Sequence, residues 1–119
     1  MINIITEIIR KNPGWLWDSK AGLSFMKMNT PSSGKNPNVG KVLIFVFETE
    51  QLVPTLCVKT VRTYLAGEVI RNNYNNLKLL ESGVKGSSYS NLFAKPLYLH
   101  DDGEFIFCVE TICPGVMFS

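Results

Sequence analysis

Apolar residues recur along this chain with two different periods. In INIITEIIRKNPG the isoleucines Ile2, Ile5 and Ile9, with Ile4 and Ile8 beside them, form a helical stripe that Asn12-Pro13-Gly14 ends. Trp15 and Trp17 follow and are expected to pin this helix to the body of the domain. The pattern then shortens to a period of two. In GLSFMKMN, over 22–29, Leu23, Phe25 and Lys27 share one face and Ser24, Met26 and Met28 the other, which predicts a strand. TPSSGKNPNVGK, over 30–41, is a loop by its Ser, Gly, Asn and Pro content. KVLIFVFE, over 41–48, reads as a buried strand, and TLCVKTV, over 55–61, as a second one close enough to be its hairpin neighbour.

The period returns to that of a helix from Tyr64 to Glu81, roughly five turns at 3.6 residues each. Leu65, Val69, Leu77 and Leu80 define its stripe, widened by Ile70 and Leu79, with Thr63 as N-cap and Gly83 as the stop. GVKGSSYSN is a loop, and LFAKPLYLH (92–100) and EFIFCVETI (104–112) flank Asp101-Asp102-Gly103, a hairpin signal. The order predicts an α+β fold: a five-stranded, mainly antiparallel sheet with one long packed helix and a short N-terminal helix. It forms one domain over 1–119, with a helical segment at 1–19 and the sheet and long helix over 20–119.

Composition narrows the function classes. The 119 residues are 45% hydrophobic and 18% charged, as in an ordinary globular domain, and a net charge of +2 with no basic block argues against nucleic acid. Cys57, Cys108 and Cys113 have no C-x-x-C spacing and lie in apolar stretches, so reduced buried thiols are expected rather than disulfides. With His100 the only histidine, a zinc site built on histidine is not expected. No apolar run approaches the length of a membrane span, and the N-terminus has no signal-peptide pattern. The expectation is a cytoplasmic protein.

One residue breaks the apolar pattern. Lys59 stands inside LCVKTV, where an ammonium group is either solvated at an edge or turned into a cleft. Alternation places Cys57 on its face.

LCVK followed by the long helix resembles the N-terminal, nucleotide-binding lobe of the kinase-like phosphotransferases, of the aminoglycoside- and choline-kinase type. The resemblance covers roughly residues 20–116. It implies that Lys59 reaches the ATP phosphates and that Cys57 lines the adenine pocket. It implies a helix glutamate to hold the lysine, but the matching position in NNYNNLKLLE is Asn73; Glu68, at the margin of the stripe, could serve instead. The loop at Ser32, Ser33 and Gly34 would cover the phosphates, without a G-x-G-x-x-G pattern. FCVETICPG resembles the strand that runs into the hinge. There Val109 would back the adenine pocket, and the Glu110 carbonyl and Ile112 amide would face the adenine edge. The implied ligands are ATP with Mg. The sequence carries no H-G-D, H-R-D or D-F-G pattern, so catalytic residues are expected from a second lobe and none from this chain. The alternative is a non-catalytic interaction module that keeps the fold and self-associates through the apolar face such a lobe would cover.

Overall fold

The apolar run at 41–48 becomes the second strand of the sheet, β2 (Lys41–Glu48). The computed structural model describes residues 2–29, 41–84 and 94–112; the loop residues Ser32, Ser33 and Gly34, and Cys113, lie outside them. β2 pairs with β1 (Leu23–Asn29) on one side and β3 (Leu56–Val61) on the other. β4 (Pro96–Asp101) and β5 (Ile106–Thr111) form a hairpin, and β5 joins β3, so the sheet runs β1-β2-β3-β5-β4. Every pairing is antiparallel.

The β4–β5 turn forms where Asp101-Asp102-Gly103 predicts it. Gly103 takes φ 85°, a left-handed conformation that suits glycine. The Asp102 carboxylate accepts the amides of Phe105 at 2.7 Å and Glu104 at 2.9 Å. Those bonds and the one from His100 hold the Asp102 carboxyl down to about 2, the Phe105 amide contributing most.

Strand alternation sorts the core onto two faces. On one lies α1 (Ile2–Arg10), with Ile5 and Ile9 fully buried against Val42, Ile44, Val46, Leu56, Val58, Phe107 and Val109. A nine-residue helix does not persist alone in water, so these two side chains keep it in place. Trp15, in a 3₁₀ turn (Pro13–Trp15), packs on the same core with its ring 6.2 Å from that of Tyr98. Trp17, expected to pin the helix as well, is 61% exposed. Its backbone does the anchoring instead: the amides of Trp17 and Asp18 donate to Glu48 at 3.0 and 2.6 Å, and the Thr55 hydroxyl donates to the same carboxylate at 2.5 Å.

The opposite face carries α2 (Glu68–Val84). Residues Tyr64–Ala66 form a separate 3₁₀ turn, and Gly67 then passes so close to β5 that a Cβ there would lie 2.8 Å from Ile106 Cγ2. The interruption shifts the phase of the helix, and part of the expected stripe turns outward: Leu65 is 95% and Leu79 72% exposed. Leu80 is exposed too, while Ile70 and Leu77 of the expected stripe do face inward, joined there by Asn73 and Tyr74. Ile70 is buried with Val61, Ile106 and Cys108. Thr63 is extended and makes no side-chain cap, and Gly83 lies within the helix rather than stopping it.

Candidate functional site

β3 is buried along its length except at Lys59. Its alternation turns Cys57, Lys59 and Val61 toward α2, and Leu56, Val58 and Thr60 toward α1. On the neighbouring strand β5, Cys108 stands opposite Lys59 and Glu110 opposite Cys57, so all four side chains share the α2 face. The inner face of α2 then brings Asn73 over them.

The result is a closed polar triangle. Lys59 Nζ lies 2.8 Å from Glu110 Oε1 and donates to Asn73 Oδ1 at 3.3 Å. Asn73 Nδ2 donates to Glu110 Oε2 at 3.3 Å and to Cys108 Sγ at 3.6 Å. An asparagine suits this position because it offers a carbonyl to the ammonium and an NH₂ group to the carboxylate. A carboxylate at 73 would face Glu110 with one cation to serve both. The Lys59 side chain keeps 22% of its surface exposed and that of Glu110 7%, so the lysine has one N–H left for a ligand while its charge is already countered.

The thiols beside the triangle are held protonated. Burial first, and then the Glu110 charge, push Cys57 up to about 12 against the opposing effect of Lys59. The same two causes push Cys108 up to about 11, opposed by Lys59 and by the Asn73 hydrogen bond. At neutral pH neither is a nucleophile or a thiolate ligand.

The other expected site residues lie apart from this cluster or at its edge. Glu68 does not reach Lys59; its exposed carboxylate pairs with Arg71 at 3.3 Å. Arg71 also binds Asp101 at 2.9 Å and the Tyr64 hydroxyl at 3.1 Å, tying the start of α2 to the end of β4. Val109 is fully buried on the opposite face, in the core under α1. The backbone of Glu110 is flanked by Cys57 of β3 and Pro96 of β4, whereas Ile112 lies one residue past β5. Among the described residues no group of three or more His, Cys, Asp or Glu side chains gathers to hold a metal ion.

The Glu110 side chain is the partner that sequence reasoning missed. The signal was present: LCVKTV and FCVET each carry one charge inside an apolar strand, of opposite sign. Matching them requires knowing that β3 and β5 are neighbours.

Compared with protein-family models, curated proteins and solved structures, the chain matches none. No helix among the described residues is long and apolar enough to cross a membrane.

Proposed function

We propose that this chain is the ATP-binding lobe of a kinase-like phosphotransferase acting on a small hydroxylated substrate, working with catalytic groups from a second lobe. One observation carries the reading: Lys59 projects from the third strand toward the long helix that separates the third and fourth strands, and bonds to a residue of that helix. In phosphotransferases of this kind a lysine on that strand is held by the helix and donates to the nucleotide phosphates. Here Asn73 does the holding, and the third ammonium N–H is the one offered to a phosphate oxygen. Magnesium would arrive with the nucleotide. Because Glu110 already counters the Lys59 charge, binding is expected to be weak.

Calorimetric titration with Mg-ATP tests this. Saturable binding that Lys59→Met weakens about tenfold or more, the worth of a charged hydrogen bond, is expected. Glu110→Gln removes the competing carboxylate and should tighten binding. Saturable binding indifferent to both substitutions would overturn the assignment of Lys59.

The Glu110 pairing also favours a second reading, a non-catalytic interaction module in which the triangle only fastens α2 to the sheet. On that reading neither the native chain nor Glu110→Gln binds ATP, and the protein self-associates in sedimentation experiments.

A further inference from the structure

The two edges of the sheet are finished differently. β4 opens on Pro96, which has no N–H to offer, and its pairing with β5 slips between Pro96 and Tyr98. Prolines and irregularities of this kind keep an edge from recruiting a further strand. β1, at the other end of the sheet, has neither: Leu23–Asn29 pairs with β2 in unbroken register. Ser24 and the run from Met26 to Asn29 are exposed, and Leu23 and Phe25 are half-buried. The backbone shows which groups are left over. The Thr49 amide donates to the Gly22 carbonyl at 2.9 Å, and alternation carries that bonding on to Ser24, Met26 and Met28. The Val46 carbonyl agrees, since it accepts the Thr55 amide on its other side, and the residue opposite it on β1 is Phe25. Leu23, Phe25, Lys27 and Asn29 therefore aim their N–H and C=O groups out of the sheet, where β1 has no second neighbour among the described residues.

We infer that this edge pairs with the β1 edge of a second copy of the chain, antiparallel, about a two-fold axis at Met26. A second copy is the occupant because the strand complements itself. With the axis at its centre, Leu23 stands opposite the partner's Asn29 and Phe25 opposite the partner's Lys27, so every outward N–H and C=O finds a counterpart. On the α2 side Met26 meets the partner's Met26, and Met28 meets the partner's Ser24, which covers two exposed methionines. On the α1 side the stem of Lys27 lies over the half-buried ring of the partner's Phe25. An axis at Lys27 would set two ammonium groups directly opposite each other, which is unfavourable. Lys59 lies two strands away from this edge, so the pairing stands or falls apart from the nucleotide reading.

Sedimentation equilibrium of the full chain over a concentration series should show monomer and dimer in exchange. Lys27→Pro removes an outward N–H that β2 does not use, so the fold should keep its far-UV spectrum. The dimer loses that bond once from each copy and should dissociate about tenfold more readily or more. Met26→Cys reports the axis itself. Opposed residues of this kind approach to about 4.5 Å between Cα atoms, within reach of a disulfide. With oxidised glutathione Met26→Cys should give a dimer that reductant separates, while Met28→Cys, facing Ser24, should link no more than the native chain. A native chain that stays monomeric throughout the series would overturn the inference. A dimer that Lys27→Pro leaves equally tight would overturn it in favour of another surface, and linking at Met28→Cys as ready as at Met26→Cys would overturn the axis.

Discussion

The two faces of this sheet are held by different physics. Under α1 the contacts are aliphatic and aromatic, and ten of the described residues form one continuous buried cluster. Under α2 the cluster has four, and polar bonds carry much of the attachment: the Lys59–Glu110–Asn73 triangle, and the Arg71, Tyr64 and Asp101 network at the helix start. Helix length does not follow attachment. The nine-residue α1 buries Ile5 and Ile9 completely, each worth about 1.5–3 kcal/mol. In the 17-residue α2, Ile70 alone among the described residues is buried. Apolar burial is insensitive to small shifts of angle, whereas a closed set of hydrogen bonds fixes one position. The α1 face therefore supplies most of the stability, and the α2 face supplies the position of the site.

This contrast can be broken in four places, taken from the largest effect down. Phe107→Ala opens the centre of the α1-side core and should cost about 3–5 kcal/mol in urea unfolding. Lys59→Met leaves Glu110 without its cation on the α2 side. The part exposure of the lysine reduces the usual penalty for breaking a buried pair to about 2–3 kcal/mol. Adding Glu110→Leu should recover most of that loss, since replacing a whole buried pair is far milder than removing one member. A double variant no more stable than the single one would mean that the triangle, not the leftover charge, sets the cost.

The third test uses the carboxylate that belongs to the apolar side. Burial pushes the Glu48 carboxyl up, but the Thr55 hydroxyl and the Asp18 and Trp17 amides outweigh it, and its pKa falls below the ordinary 4.5. Its contribution is then complete above 4.5 and is lost as pH falls through the lower value of the folded state. Glu48→Gln should lose about 1–2 kcal/mol at neutral pH and show a shallower loss of stability on acidification than the native chain. The smallest effect belongs to Leu79→Lys, on the outer side of α2, which should stay within about 0.5 kcal/mol of the native chain. A large loss there would return Leu79 to the packed stripe that its spacing suggested.

How far the sequence reveals this molecule depends on the range of the signal. β2 forms over the residues that its apolar run marks, and Asp101-Asp102-Gly103 gives the turn between β4 and β5, because both signals lie in adjacent residues. A phase counted from Leu65 places Ile70 and Leu77 correctly on the inner side of α2 but also puts Leu79 and Leu80 there, where the structure exposes them. The 3₁₀ turn and the close passage of Gly67 against Ile106 break that count, and the packing that causes the break is tertiary. Asn73, the residue that matches the position of the resembled family's helix glutamate, does meet Lys59. Glu68 was a reasonable alternative by position, but Arg71, three residues on, takes its carboxylate at the surface. Val109 follows simple alternation: if Cys108 and Glu110 face α2, the residue between them faces α1. The Lys59–Glu110 pair was beyond local reading, because it depends on a neighbour relation between distant strands.

That neighbour relation also orders events in time. β1, β2 and β3 follow one another as a local meander, and β4 and β5 as a hairpin. The two units meet along one seam, where Cys57 faces Glu110 and Lys59 faces Cys108 across about fifty positions of chain. Bringing distant segments together is the slow, entropically costly part of making a sheet. Lys59 and Glu110 stand on opposite sides of that seam, so the site comes into being as the two halves of the sheet join.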